Sequence, residues 1–392
     1  MQTTEEKMLK KIQQEYDKRI KIQQIGKRDK EPNLLNISNR LDEYYIFTKL
    51  KNYCLYLSYR NIVSEAKMPY NASDFKLMPA ILEELDTHSF EHPIIEVYNQ
   101  IRLLYENGNA FVTPSDFENL LTKIAELTPK LNVDEGIEIY SFLTTYFVRK
   151  VNEEQTDYQI LLFKTYNQII NLRYGRNNRK RMPLPPGMYK NMVVMAIILK
   201  DSDIFDTLET AHISIKKSLK GTKRTFAWIE KFIDIYQKKI ERKEAPNYVK
   251  LCKSLLFFEQ EKYVDAYNTL DYPLHAHGLF INMDIKILYL KVLYEIETTK
   301  PTTLKKDKVE TLKFLEAYRA LLRDNKKRKK RLNYQEDFYN AFYSVYKQLY
   351  DVYYNPHDQK MKKKLHQAIL KLPYPFKTWF LQKYQTTIEK KQ

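Results

Sequence analysis

Apolar residues along this chain recur at steps of three and four, and nowhere settle into the strict alternation of a half-buried strand. In 133–152 the positions Ile137, Tyr140, Leu143, Phe147 and Val151 follow that rule, and Leu162, Tyr166 and Ile169 repeat it in 155–174. Phe226, Ile229, Ile233, Tyr236 and Ile240 do the same, as do Phe338, Phe342, Val345, Leu349 and Val352. Each set is one face of a 3.6-residue helix, and each must pack on something. The pattern predicts helices over 37–66, 74–87, 93–107, 114–128, 133–152, 155–174, 188–199, 202–219, 226–240, 283–296, 303–322, 334–354 and 361–370, with a final segment from Phe376. In 37–66 the buried stripe reads as Leu41, Tyr45, Thr48, Tyr53, Leu57 and Val63. Thr113, Pro114 and Asp116 give one clear start: a capping hydroxyl, proline at the first helical position, an acid in the first turn. The expected class is all-α, with successive helices packed as antiparallel neighbours.

Two stretches interrupt the periodicity. Residues 1–32 are charged and helix-prone, with weak apolar spacing at Met8, Ile12 and Ile20, and read as a helical extension or arm. In 173–187, RYGRNNRKRMPLPPG, the bases Arg173, Arg176, Arg179, Lys180 and Arg181 run into Pro183, Pro185 and Pro186, which cannot continue a helix. The expected organisation is an extension at 1–32, an N-terminal helical half at 33–175, a basic, proline-rich link at 176–187 and a C-terminal half at 188–392.

The stretch 248–280 is the most informative. Leu251, Cys252, Leu255 and Leu256 make one apolar face, Glu259 to Lys262 a polar turn, and Tyr263, Ala266, Tyr267 and Leu270 a second face. A small residue stands three before an aromatic in the first helix (Ser254, Phe257), and an aromatic three before alanine in the second (Tyr263, Ala266). That spacing resembles the tetratricopeptide repeat, in a degenerate copy. Glu261 stands where the repeat usually has its turn glycine, Lys250 where it has an early aromatic, and Pro273 follows the second helix. Further upstream, the aromatic helix at 37–66 followed by a helix opened by Pro93 resembles the start of uncharacterised bacterial helical-repeat proteins. The resemblance implies a right-handed α-solenoid of antiparallel helix pairs, tetratricopeptide-like at least in the C-terminal half. It also implies a partner peptide or helix on the concave face.

Composition changes this picture only in part. With 7 Gly in 392 residues there is little material for hairpin turns or phosphate loops. The 32 Tyr suit helix–helix seams, with hydroxyls free to sit at a wet edge. A formal charge of +17 admits acidic partners, although lysine can also simply solvate helix faces. Cys54 and Cys252, far apart and both in apolar patterns, read as two buried thiols in a reducing compartment. The N-terminus has no apolar signal-peptide core, and the longest purely apolar run, 192–199, is too short to span a bilayer. The expected location is cytoplasmic.

Candidate chemistry is sparse. No two glycines lie close enough for a phosphate-binding loop or a nucleophile elbow. His275/His277 and His88/His92 are the only close histidine pairs; Pro93 breaks the helix beside His92 and no Glu-x-x-His motif or cysteine pair lends support, so no metal and no cofactor is expected. The features that could recognise a partner are basic: Arg323, Lys326, Lys327, Arg328, Lys329, Lys330 and Arg331 between two expected helices, and the Arg173, Arg176, Arg179, Lys180, Arg181 segment. Either can neutralise phosphates without reading sequence. Taken together, the sequence points to a non-enzymatic protein–protein interaction scaffold. The alternative is a nucleic-acid-associated protein using the basic segments.

Overall fold

The computed structural model describes residues 2–24, 34–62, 72–87, 92–106, 113–175, 182–241, 243, 245–270, 279–299, 307–327, 335–372 and 376–389. Among them are seventeen α-helices and no strand; a lone β-bridge pairs Leu184 with Ile240. The chain forms two compact units. Unit 1 takes Met1–Val151, Gln155–Arg181 and Thr210–His212, and unit 2 takes Asn152–Glu154, Met182–Glu209 and Ile213–Gln392.

Unit 1 holds α1 (Thr4–Gln24), α2 (Leu34–Ile62), α3 (Met78–Thr87), α4 (Pro93–Glu106), α5 (Pro114–Leu127), α6 (Val133–Asn152) and α7 (Tyr158–Tyr174). Helix α2 packs on α1, α3 and α4, and α5 packs on α4 and α7. Phe117, Phe147 and Tyr158 bring α5, α6 and α7 together edge-on, with centroids 4.9 Å apart for the first two and 5.6 Å for Phe117 and Tyr158. The Tyr105 hydroxyl donates to the Phe142 carbonyl at 2.6 Å, tying α4 to α6 inside the core. A Cβ on Gly136 would lie 3.1 Å from Leu172, so α6 and α7 meet there at a residue without a side chain.

The N-terminal segment is a docked helix. Thr3 and Glu6 form a capping box at its start, with amide bonds of 2.9 and 3.0 Å. Thr4 donates its amide to Glu135, Lys7 reaches the Lys130 carbonyl at 2.7 Å, and Met8 is buried. In α2 the core face is Ile46, Phe47, Leu50, Tyr53, Cys54 and Leu57. Tyr53 and Leu57 match the expected stripe, but Leu41 and Tyr45 stand 46% and 40% exposed. This helix is apolar on more than one side, so its spacing admits a second stripe rotated from the first.

Unit 2 holds α8 (Pro186–Ile198), α9 (Ile204–Thr207), α10 (Gly221–Tyr236), α11 (Ala245–Glu259), α12 (Tyr263–Leu270), α13 (Leu279–Thr299), α14 (Asp307–Lys327), α15 (Gln335–Tyr354), α16 (Gln359–Leu370) and α17 (Phe376–Glu389). Helix α8 lies on α10 and α11; from α11 onward each helix packs on the next, with added contacts of α11 on α13 and α15 on α17. The turn between α11 and α12 is a Schellman motif: Lys262 donates to Phe257 at 2.9 Å and Glu261 to Phe258 at 3.0 Å. It places Glu261 at φ 61°, the left-handed conformation that glycine adopts without cost. Ser254 and Ala266, the expected small contact residues, are fully buried, and the Ser254 hydroxyl has no hydrogen-bond partner. The α15 stripe is covered by α17, where Phe338 and Phe342 meet Phe376 at 4.2 and 4.9 Å.

The helix expected over 202–219 does not form. Only Ile204–Thr207 is helical, and the chain then runs without regular structure to Lys220. Its polar groups are taken by neighbours instead. Within unit 1, Thr210 donates to Asn167 and Ala211 to Asn171, both at 2.7 Å, and the His212 ring bonds the Tyr174 carbonyl at 2.6 Å. Within unit 2, Arg224 donates to the carbonyls of Phe205, Lys216 and Leu219.

Candidate functional site

Of the sequence-predicted basic residues, Arg173 lies half-buried in α7 and Arg323 exposed near the end of α14. Lys326 and Lys327 are the last residues of α14, which runs on past the expected end at 322. Arg176, Arg179, Lys180, Arg181, Arg328, Lys329, Lys330 and Arg331 lie outside the described residues, as do His88, His275 and His277. No cluster of three metal-ligating side chains occurs among the described residues, and no described helix is long and apolar enough to cross a membrane. Cys54 and Cys252 are free and buried, and burial pushes both thiols well above the usual range.

A basic pocket in unit 1 was not foreseen. Helix α1 contributes Lys7, Lys10, Lys11 and Gln14, spaced so that they share one face, with Gln2 and Met8 beside them. Helix α2 adds Arg40 and Glu43, and His92, just before α4, completes a cavity of about 340 Å³. Among the described residues, four cations thus face one lining carboxylate. Lys7 spends one proton on the Lys130 carbonyl, while Lys10, Lys11 and Arg40 form no ion pair among the described residues. His92 is drawn below its ordinary pKa by burial first, then by Lys11 and Lys7, with Glu135 pulling the other way. Its Nδ1 is buried with no hydrogen-bond partner. Only the 7/10/11/14 spacing on α1 signals this pocket in the sequence, because the remaining members come from other segments.

A second concavity, about 550 Å³, lies between α4 and α5. Leu104, Phe117 and Leu120 form its buried floor, and Gln100, Asp116, Asn119, Thr122, Lys123 and Glu126 line it with polar groups of both signs. The wall is held by local bonds. The Asp116 carboxylate accepts the Thr113 amide and hydroxyl, both at 2.7 Å, which fixes the start of α5 and holds that carboxyl below its usual range. Lys123 crosses to Glu96 on α4 at 2.6 Å.

Unit 2 gathers charge differently. Glu295, 2% exposed, accepts the Trp379 indole N–H at 2.9 Å and pairs with Lys383 at 2.7 Å, so α13 and α17 are clamped. One turn earlier, the Lys291 Nζ lies 5.2 Å from the Trp379 ring centroid and 5.8 Å from that of Phe376, with no hydrogen bond or ion pair among the described residues. Burial brings its ammonium down to about 8, against the pull of Glu259 and Glu295. Nearby, Lys200 pairs with Glu259 at 2.9 Å and Lys190 with Asp284 at 2.5 Å. These groups satisfy one another across helix seams.

Comparison of the chain with protein-family models, with curated proteins and with solved structures finds no match in any of the three. The sequential helix pairing is a feature that tetratricopeptide arrays share, and it identifies no family here.

Proposed function

We propose that this chain is a non-enzymatic, cytoplasmic interaction scaffold that holds a peptide or helix of a partner protein. The observation that carries this reading is the α4–α5 groove, whose apolar floor and two-signed polar rim have the make-up of a protein interface core and its surround. Its volume lies within the usual range of recognition sites. In this reading the unit 2 helices continue the α11–α12 hairpin as antiparallel pairs of a right-handed, tetratricopeptide-like superhelix. The packing of each helix on its successor, and of α11 on α13 and α15 on α17, supports that stacking.

The test is a native pull-down from the source cell, with and without nuclease, using the full chain and an Asn119→Arg variant that fills the groove rim. A discrete protein that survives nuclease and is lost from the variant is the expected result. A partner retained equally by the variant would remove the groove from the reading.

A second reading, nucleic-acid association, is favoured by α16. The helix QKMKKKLHQAIL carries no carboxylate and exposes Lys360, Lys363 and Lys364, in a chain of net charge +17. Recovery of nucleic acid alone, released by salt, would establish it over the scaffold.

A further inference from the structure

We propose that the α1–α2 pocket of unit 1 is a binding site for the phosphate group of a small phosphorylated molecule. The pocket gathers more positive than negative charge: Lys10, Lys11 and Arg40 form no ion pair among the described residues, and Arg40 feels Glu15 of α1 only at longer range. Lys7, Lys10, Lys11 and Arg40 converge on one cavity, and among the described residues its one lining carboxylate is Glu43. Like charges held together on two packed helices repel one another, and an anion relieves that repulsion. The N-terminus of α1 is not the donor, because its first amides are already taken by Glu6 and Glu135.

Three details narrow the ligand. Arg40 offers a planar fork of N–H groups suited to two oxygens at once, and the three lysines add point charges around it, a set matched to a dianion rather than a single carboxylate. The basic face of α1 from Lys7 to Gln14 is only about 10 Å long, which fits one phosphate with its carrier rather than a track of polymer phosphates. The cavity of about 340 Å³ holds such a molecule, and Gln2 and Gln14 supply amides for the hydroxyls of its carrier.

His92 gives the site a proton response. It lines the pocket with a buried, unpartnered Nδ1, and the groups that face it are Lys7 and Lys11 from α1 and Glu135 from α6, with Arg40 and Glu43 of α2 lining the same cavity. Burial, Lys11 and Lys7 disfavour the imidazolium. A bound dianion offsets the lysines and favours the imidazolium, so binding takes up a proton and strengthens as pH falls.

The proposal is independent of the groove and is tested on the full chain in vitro. Calorimetric titration with inorganic phosphate and with pyrophosphate is expected to give sub-millimolar binding, weakened at least about tenfold in a Lys11→Gln, Arg40→Gln double variant that keeps the wild-type circular dichroism. Sulfate, a dianion throughout, isolates the histidine: its affinity is expected to rise several-fold from pH 8 to pH 5.5 in the wild type and to stay flat in His92→Asn. Failure of phosphate and pyrophosphate to bind, or equal binding by the double variant, overturns the site. Binding only to vesicles containing phosphatidic acid overturns its assignment to a soluble ligand.

Discussion

One set of lysines in each unit makes an instructive contrast. In unit 2 the part-buried ammonium groups of Lys190, Lys200 and Lys383 each end on a carboxylate of a neighbouring helix, and Lys291 is held against two aromatic rings. In unit 1 Lys51, Lys123 and Lys164 likewise pair with carboxylates, and the buried Arg102 with Glu106 at 2.6 Å, but Lys10, Lys11 and Arg40 line a cavity without an ion-pair partner among the described residues. Charge that closes on itself holds helices in register. Charge left open is available to something outside the chain, at a small cost to the unit that carries it.

The sharpest way to break that contrast is to remove the centre of the closed set. Glu295→Ala removes the carboxylate that Lys383 and the Trp379 indole share in a buried seam, and is expected to cost about 3–5 kcal/mol, read as a lowered midpoint in denaturant. A loss under about 1 kcal/mol would mean the clamp is no stronger than a surface pair.

Lys291 comes next. Its folded pKa of about 8 lies below the unfolded value, so between pH 8 and about 10.5 the unfolded chain binds more protons and this group's contribution to stability rises with pH. Lys291→Met removes the buried charge and is expected to stabilise by about 1–2 kcal/mol at pH 7. The gain should shrink toward zero by about pH 10, followed as the difference between variant and wild type so that tyrosine ionisation cancels. A pH-independent difference would place Lys291 outside the closed set.

A backbone change of similar kind tests the hairpin. Glu261→Gly relieves a left-handed non-glycine residue and is expected to stabilise by about 1 kcal/mol in thermal or denaturant unfolding. Smallest of all, Lys10→Gln with Lys11→Gln is expected to shift stability by no more than about 0.5 kcal/mol, toward greater stability at low salt. A cost above about 1 kcal/mol would show that these lysines support the fold and that the contrast between the units is wrong.

Much of the architecture could be read from spacing because helix faces repeat locally. Tyr140, Leu143, Phe147 and Val151 are buried as their periodicity requires, and so are Ile229, Ile233 and Tyr236. The Thr113–Pro114–Asp116 start is likewise a local signal with a local partner. Where partners are distant the spacing misleads. The 202–219 segment has helical periodicity, yet Asn167, Asn171, Tyr174 and Arg224 offer its polar groups better-placed bonds than a helix would. Helix α14 outruns its expected end because no glycine or proline stands between Leu322 and Lys327, and lysine and arginine prolong helices readily. Tyrosine hydroxyls expected at wet edges turn inward as well: Tyr105 and Tyr346 donate to carbonyls of neighbouring helices at 2.6 and 2.8 Å. The basic pocket escaped notice because its members come from three separate segments, and lysines on an isolated helix look like solvated surface.

The stretch Thr210–His212 belongs to unit 1 although the chain has by then entered unit 2. As the polypeptide emerges from a ribosome, unit 1 therefore still lacks three of its residues when Arg181 appears, and the bonds that Thr210 and Ala211 donate to Asn167 and Asn171 close only some forty residues after those acceptors. A fragment cut in the proline-rich stretch would lack those two bonds. The two compact units are distinct in their contacts yet interleaved in the order of their synthesis.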